Sequence, residues 1–117
     1  MEKKVALTAL AALGQETRLD VFRLLVKSGK DGMSAGGISE ALDVLPNTLS
    51  THLGVLARSG LVHAERDGRT IHYCADLDVM GSLVTYLLQD CCGGNPDLCM
   101  PILKCLSPQD EPVSNTK

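Results

Sequence analysis

The sequence predicts a mainly α-helical fold that carries one β-hairpin. Leu49, Leu53 and Leu56 recur at helical spacing and would lie on one face of a helix. Directly after that helix, residues 61–66 and 69–73 have the composition and length of two short strands. A chain of 117 residues suits a single domain, and an aromatic content of only 3% predicts a core of aliphatic side chains.

The boundaries of these elements are indicated by residues with special backbone preferences. Pro46 fits the first turn of a helix, where no backbone N–H is needed, and Gly60 fits the position just after its end. Asp67-Gly68 separates the two strands and predicts a tight type I′ turn, in which both central residues have positive φ. The sequence therefore predicts a helix followed at once by a hairpin.

The face of this helix opposite the leucines is small, polar and cationic. A step of about 100° per residue places Asn47, Thr51 and Arg58 there. Such a helix can enter a DNA major groove, and a hairpin tip with Arg66 and Arg69 beside its turn can reach the backbone or the minor groove. A helix and hairpin also occur in α+β domains that bind no nucleic acid, so this spacing alone leaves DNA binding open.

Two helices are expected before this unit, over residues 3–13 and 17–27. The second would turn an apolar face inward and charged residues, including Arg18, outward; the inward residues are Leu19, Phe22, Leu25 and Val26. Ser34 is a plausible N-cap for a third helix that ends at Leu42, and a brief turn then leads to Pro46. A short helix, a turn and a second helix with a polar face form a helix-turn-helix arrangement.

The first and last helices are more apolar than a small domain needs. After the hairpin, Asp76 or Asp78 can cap a long helix that runs through Asp90 and carries a broad row of leucine, valine and methionine. Together with residues 3–13, this helix offers a surface through which two copies could form a homodimer. The alternative is that both helices close the core of one chain.

The charge pattern permits a nucleic-acid partner without requiring one. The formal net charge is −3, but the acidic excess lies in residues 31–45 and 76–117, while residues 46–75 are slightly positive. No apolar run approaches the roughly 18 residues of a membrane span, so a cytoplasmic protein without a membrane partner is expected. The sequence carries no nucleophile–base pair, glycine-rich phosphate loop or histidine–carboxylate cluster, and we expect no enzyme activity.

Five cysteines are present, an odd number, and four of them lie between residues 91 and 105. In a cytoplasmic protein this crowding favours metal binding or thiol chemistry over disulfides. The fifth, Cys74, lies in a predicted strand, where cysteine is most often a small buried hydrophobe. We expect a domain over residues 1–92 and a cysteine- and proline-containing tail over 93–117, disordered at its end.

Several runs together resemble the ArsR/SmtB family of metal- and metalloid-responsive repressors. These are Leu13 to Leu25, Ser50-Thr51-His52-Leu53, Ser59-Gly60-Leu61-Val62 and Arg66-Asp67-Gly68-Arg69, with Tyr73. The resemblance covers about residues 5–90 and implies a dimeric winged helix-turn-helix protein that binds double-stranded operator DNA. It implies DNA contacts by the residues at the start of the recognition helix and beside the wing turn, namely Asn47, Thr48, Ser50, Thr51, Arg66 and Arg69. His52, near the leucine stripe, is expected to be a core-edge residue.

The ligand site is expected beyond the last helix. Some family members sense arsenic through a cysteine pair at the start of the recognition helix. That pair has no counterpart here, because residues 41–49 lack cysteine. Zinc-type sites with Asp and His on the last helix are also missing, because no histidine follows His72. Cys91-Cys92 and Cys99, with six residues between Cys92 and Cys99, look similar to the Cys-Cys…Cys site of a subgroup of arsenic-responsive members.

Three thiolates suit a soft, trigonal-pyramidal ion, so As(III) or Sb(III) is the expected inducer and no organic cofactor is expected. Cys105 is a reserve ligand, and as a fourth ligand it would allow zinc or cadmium instead. Two alternatives stay open. The same cysteines could serve a redox- or Zn/Cd-responsive repressor of the same fold, or a thiol metalloid carrier without DNA affinity.

Overall fold

The computed structural model describes residues 1–89. Residues 1–86 form one compact unit, and of the unit that follows only residues 87–89 are described. The described elements are, in order, α1 Lys3–Leu13, α2 Glu16–Ser28, β1 Met33–Ser34, α3 Ala35–Leu42, α4 Pro46–Arg58, β2 Val62–Asp67, β3 Thr70–Ala75 and α5 Leu77–Leu88. The predicted boundary between residues 92 and 93, and the whole predicted tail, lie outside the described residues.

The first two helices agree with the predicted positions, but the inward face of α2 differs. Gln15 caps α2, because its side-chain oxygen accepts a hydrogen bond from the backbone N–H of Arg18 at 2.9 Å. The buried residues of α2 are Val21, Phe22 and Leu25. The buried arc is thus rotated toward Arg18 and Val21, and the predicted core residues Leu19 and Val26 lie at its edge, 43% and 41% exposed.

The helix-turn-helix is built by α3 and α4. The Ser34 hydroxyl caps α3 as predicted, since it accepts from the backbone N–H of Gly37 at 3.0 Å. The turn between the helices passes through Asp43, whose φ of 56° is left-handed. Around it the Val44 N–H donates to the Ser39 carbonyl at 3.1 Å, and the Ser39 hydroxyl donates to the Val44 carbonyl. These bonds fix the direction in which α4 leaves the turn.

The hairpin forms where it was predicted, but its turn is shifted by one residue. Asp67 is the last residue of β2 and pairs with Thr70, so the central turn residues are Gly68 and Arg69. Gly68 has a φ of 65°. The φ of Arg69 is not positive, although a type I′ turn requires a positive φ at this position too. Positive φ at the first central residue alone is typical of a type II′ turn, which glycine favours. The predicted Asp67-Gly68 turn is therefore wrong.

A third strand, β1, was not predicted. Its two residues pair antiparallel with β3, with Met33 opposite Tyr73 and Ser34 opposite His72, and the strand order is β1-β3-β2. A two-residue strand leaves no alternating pattern in the sequence, so only its partner reveals it. The mainly helical fold with a small antiparallel sheet is the predicted winged helix-turn-helix.

The last helix begins where one of the two predicted caps places it. Asp76 is the cap, because its Oδ1 accepts from the Val79 N–H at 3.1 Å. Helix α5 ends at Leu88, and Asp90, the predicted end, lies outside the described residues. Within residues 1–89, no helix has both the length and the apolar character to cross a membrane.

One aliphatic core holds the elements of the first unit together. The leucines predicted to share a face of α4 are all buried, together with residues of α2, α3 and the end of the α4–β2 turn; this group is Leu49, Leu53, Leu56, Leu25, Ile38 and Leu61. Helix α1 contributes alanines to this core and turns its larger residues outward. Ala6, Ala9 and Ala12 are at most 2% exposed, whereas Leu7 is 59% exposed.

Candidate DNA-binding surface and thiol residues

The start of α4 presents a polar face to solvent. Asn47, Thr48, Ser50 and Thr51 are all exposed, while Leu49 between them is 1% exposed. The Thr51 hydroxyl donates to the Asn47 carbonyl at 3.4 Å, a bond within the helix that an incoming acceptor could replace. This face therefore offers hydroxyl and amide groups of the kind that contact phosphates and base edges.

The position of α4 is fixed by α2. The Arg18 Nε donates to the carbonyl of Ala12 at 2.6 Å, and its NH1 donates to Nδ1 of His52 at 3.2 Å. Arg18 thus connects the end of α1 with the middle of α4, instead of pointing outward as predicted. His52 is half-buried, which confirms the prediction of a core-edge residue.

The hairpin of β2 and β3, the wing, carries the two arginines at its far end. Arg66 pairs with Ile71 near the end of β2, and Arg69 lies in the turn; both are exposed. Arg66 is two residues beyond Ala64 and so shares a sheet face with it. In residues 1–89 the ion pairs join His63 to acidic groups, and no acidic side chain of that range pairs with Arg66 or Arg69. Their guanidinium groups are available to phosphate.

The candidate DNA-binding surface consists of two exposed groups: the start of α4 with Asn47, Thr48, Ser50 and Thr51, and the wing tip with Arg66 and Arg69. The predicted thiol residues cannot be placed in the same way. Cys91, Cys92, Cys99 and the reserve ligand Cys105 all lie outside the described residues.

Cys74 is the cysteine that the structure describes, and it is buried as predicted. It is 5% exposed, and its thiol lies 3.6 Å from the Lys30 carbonyl, to which it donates. Burial raises the pKa of Cys74 above its ordinary value of 9.0, and the carboxylates of Glu65 and Asp31 raise this pKa further. A thiol that stays protonated is a poor nucleophile at neutral pH.

A second group of side chains was missed by the sequence reasoning. His63, Glu65 and Cys74 carry nitrogen, oxygen and sulfur atoms that all lie within 4.8 Å of one another. The wrong turn assignment concealed this group, because a turn at Asp67-Gly68 would place His63 opposite His72. In the observed register His63 is paired with Cys74. A shift of the turn by one residue along the sequence would have revealed the cluster.

The fold and this surface define a winged helix-turn-helix DNA-binding protein. Residues 13–65 match a family model described as a helix-turn-helix domain. HlyU from Vibrio cholerae has a similar structure, with 31% identity over 74% of this chain and 97% of that one and a TM-score of 0.57. An ArsR-like transcriptional regulator from Rhodococcus sp. RHA1 is 26% identical over 89% of this chain and 93% of that one, with a TM-score of 0.69.

A third similar structure is the homodimeric winged helix-turn-helix DNA-binding domain of Mb0332 from Mycobacterium bovis, a possible ArsR-family regulator. It is 27% identical over 74% of this chain and 81% of that one, with a TM-score of 0.60. The chain belongs to the ArsR family of winged helix-turn-helix proteins, and it is a DNA-binding transcriptional regulator.

Proposed function

We propose that this regulator is a homodimeric repressor of a metalloid-resistance operon and that As(III) or Sb(III) releases it from its operator. The inducer binds Cys91, Cys92 and Cys99, with Cys105 as the reserve ligand. The operator binds to the candidate DNA-binding surface on α4 and the wing.

The observation that carries the DNA-binding part is the division of α4 into two faces. Leu49 and Leu56 are at most 1% exposed. Asn47, Ser50 and Thr51, which lie between or beside the buried positions in the sequence, are exposed. The leucines hold the helix on the core, and the polar side chains are left for a partner. In a two-fold dimer, two such helices would enter successive major grooves about 34–36 Å apart.

The dimer is supported by the outward face of α1. Val5, Leu7 and Leu10 are 45%, 59% and 39% exposed, and Leu77 at the start of α5 is 59% exposed. A contiguous patch of such large apolar side chains is unusual on a monomer and marks an interaction surface. The similar structure from Mycobacterium bovis is homodimeric, which supports a dimer here. We expect α1 and α5 to meet their counterparts in a second copy.

The thiol part rests on donor chemistry. Adjacent cysteines rarely close a disulfide, because the small ring is strained, but they can share one soft ion. Cys91 and Cys92 supply two thiolates, and Cys99 supplies a third after a stretch of sequence that contains glycine and proline. A trigonal-pyramidal As(III) needs three. The alternative inducers are zinc or cadmium with Cys105 as a fourth ligand, and oxidation of the same thiols.

Release requires that the inducer bind the DNA-free conformation more tightly. A coupling of about 1–3 kcal/mol is typical between two sites, whereas an almost complete switch needs about 5.5 kcal/mol. Two metalloid sites in a dimer can supply the larger figure. The thiols follow α5 in the sequence, and we expect an ion that gathers them to shift the helix proposed to join the two copies.

The test is DNA release measured by fluorescence anisotropy. Reduced protein is bound to labelled DNA from its own promoter region and titrated with arsenite, then with Zn(II). We expect release by arsenite that disappears in Cys91→Ser and in Cys92→Ser. We also expect Thr51→Ala/Arg69→Ala to abolish specific binding, while Arg23→Ala, which removes a charge from the exposed face of α2, leaves it unchanged.

The remaining outcomes separate the alternatives. Release by Zn(II) alone would support the proposed DNA-binding function and would contradict the proposal that As(III) or Sb(III) is the inducer. Specific binding that responds to neither ion but is lost on oxidation would favour a redox-responsive repressor. Absence of specific binding would leave a thiol metalloid carrier.

HlyU is named a transcriptional activator, so a reporter gene behind the same promoter should be compared with and without the protein. A lower signal with the protein supports repression.

A further inference from the structure

The register of the wing gathers a second set of ligand atoms on the half of the strands away from the turn. His63 lies directly opposite Cys74, and Glu65 is two residues along β2 from His63. Residues paired across strands, and residues two apart along a strand, share one sheet face. We infer that His63, Glu65 and Cys74 form a binding site for Zn(II) at the base of the wing.

The distances suit one small ion. The His63 Nε2 lies 3.1 Å from the Glu65 carboxylate, and the Cys74 sulfur completes a group whose three ligand atoms lie within 4.8 Å of one another. Zinc bonds of about 2.0–2.3 Å place tetrahedral ligands roughly 3.3–3.8 Å apart. Only a small approach by the sulfur is therefore needed, and a fourth position is left for water or an added ligand.

The set of donors favours zinc over the hard cations. Calcium and magnesium take oxygen ligands almost exclusively, whereas thiolate, imidazole and carboxylate are all zinc ligands. When zinc binds, a bond forms between the ion and the Cys74 sulfur, and the thiol proton passes to solvent. The hydrogen bond from this thiol to the Lys30 carbonyl is lost in the same step.

Asp76 positions the histidine. The His63 Nδ1 lies 3.7 Å from the Asp76 Oδ2, on the ring side away from Glu65. A zinc-bound histidine usually donates its other ring N–H to a carboxylate, which fixes the tautomer and the ring orientation. With Nε2 on the ion, Nδ1–H would donate to Asp76. Asp76 is thus a positioning residue and not a ligand.

The surroundings leave room for an ion and its water. The cluster opens into a cavity of about 530 Å³ between the end of α2, the wing and the start of α5. Its other lining residues include Leu25, Gly29 and Lys30. Lys30 is the cation in this lining that opposes an ion, and the carboxylates of Glu65, Asp76 and Asp78 outnumber it.

The same aspartate links the site to α5. The Asp76 Oδ1 caps that helix through the Val79 N–H, and its backbone N–H donates to the Leu61 carbonyl at 2.8 Å. An ion that draws His63 toward Glu65 and Cys74 therefore acts on the residue that begins the proposed dimer helix. Zinc here would change the geometry or stability of the α5 start without using any cysteine beyond Cys74.

The experiment uses the full-length chain with Cys91, Cys92, Cys99 and Cys105 all replaced by serine, so that Cys74 is the remaining thiol. Co(II) is titrated into the reduced protein as a spectroscopic probe, and Zn(II) then competes with it. We expect one Co(II) per chain with a thiolate-to-cobalt charge-transfer band and tetrahedral d–d bands, displaced by Zn(II). Cys74→Ser should remove the charge-transfer band, and His63→Gln should weaken Co(II) binding at least about 10-fold.

Two further variants test the roles of the carboxylates. Glu65→Gln should weaken Co(II) binding, while Glu40→Gln, on the exposed side of α3, should not. Asp76→Asn keeps an oxygen for the α5 cap and should lower the affinity about 10–100-fold. Because His63 and Glu65 are exposed, their variants are expected to fold even if Cys74→Ser does not, which a thermal melt of each variant verifies.

Absence of a thiolate band in the four-serine protein, or Co(II) binding that survives both His63→Gln and Glu65→Gln, would overturn the site. The cluster would then be a set of surface ion pairs only. The result is independent of the metalloid proposal, because the cysteines of that proposal are absent from the tested chain. Failure of arsenite to release DNA from the unmodified protein would leave the zinc site standing.

Discussion

Arg18 of α2 and His52 of α4 are joined through a bond of 3.2 Å between the guanidinium NH1 and the imidazole Nδ1. The same arginine donates through Nε to the Ala12 carbonyl at the end of α1. A single planar side chain therefore holds three helices, and one of them carries the candidate DNA-binding residues. The orientation of that helix depends on a residue that never needs to touch DNA.

This relationship predicts a large effect from replacing Arg18, a charged residue that the sequence alone would assign to the exposed side of α2. Arg18→Ala removes two charge-assisted hydrogen bonds and should lower the free energy of unfolding by about 1.5–3 kcal/mol. Arg23→Ala, on the exposed side of the same helix, should change it by no more than about 0.5 kcal/mol. Urea denaturation of both variants measures the difference. Equal stabilities would show that the bonds of Arg18 contribute nothing net.

Two glycines with the same backbone conformation should respond differently to alanine. Gly29 and Gly32 have φ values of 68° and 66°, but only at Gly32 is the space occupied: a Cβ there would collide with the Tyr73 carbonyl and lie 2.7 Å from the Cys74 sulfur. Gly29→Ala should cost about 1–2 kcal/mol for the left-handed backbone. Gly32→Ala should cost about 1–3 kcal/mol more because the strand must move.

Urea denaturation midpoints of the two glycine variants, measured side by side, provide the comparison. If Gly29→Ala proves as damaging as Gly32→Ala, the close approach of Gly32 to β3 is not what determines the choice of glycine.

The Cys74 thiol should be unreactive in the folded, metal-free protein. Burial, with Glu65 and Asp31 nearby, raises its pKa above 9.0, so at neutral pH its alkylation by iodoacetamide should be much slower than in urea-unfolded protein. The stabilisation gained by keeping this thiol neutral is complete below pH 9.0, and it is lost as the pH rises through the folded-state pKa.

Peptide mapping by mass spectrometry after short alkylation pulses at increasing pH follows Cys74 separately from the other cysteines. EDTA-treated protein is used, so that a bound ion does not protect the thiol. An alkylation rate with the same pH dependence in folded and unfolded protein would contradict the raised pKa.

Charge on the outward face of α1 should dissociate the proposed dimer. Leu7 is 59% exposed in the single chain, and Leu7→Glu should raise the dimer dissociation constant by at least about 30-fold, since a central apolar contact contributes about 2 kcal/mol. Leu45→Glu is the matched control, because Leu45 is 73% exposed but lies in the turn before α4. Sedimentation velocity over a range of concentrations measures both. Unchanged association of Leu7→Glu would place the interface elsewhere.

The sequence predicted the helices well because their signals are local. The period of the leucines in α4, the Ser34 cap and the Asp76 cap each depend on residues within a few positions, and the structure confirms all three. The hairpin register is different. A shift of one residue in the turn changes every cross-strand pair, and Gly68 alone does not tell a type I′ turn from a type II′ turn.

The candidate site residues also differ in whether local sequence signals determine their positions. Exposure of Asn47, Ser50 and Thr51 follows from helix periodicity, so it could be predicted. The approach of Cys74 to His63 follows from register, so it could not. The inward turn of Arg18 was missed because a charged residue is normally assigned to solvent, and only the positions of the Ala12 carbonyl and His52 identify its partners.

The alanines on the inner side of α1 have a consequence for the dynamics of the chain. Ala6, Ala9 and Ala12 fit closely against the core but bury little area, so in a lone chain this helix is weakly anchored compared with α4. Local opening of α1 and separation of the two copies would then be one linked equilibrium. Amide hydrogen exchange in α1 should slow as the protein concentration rises, while exchange around Leu56 stays constant. The exchange rates of the α1 amides would thus indicate whether a chain is monomeric or dimeric.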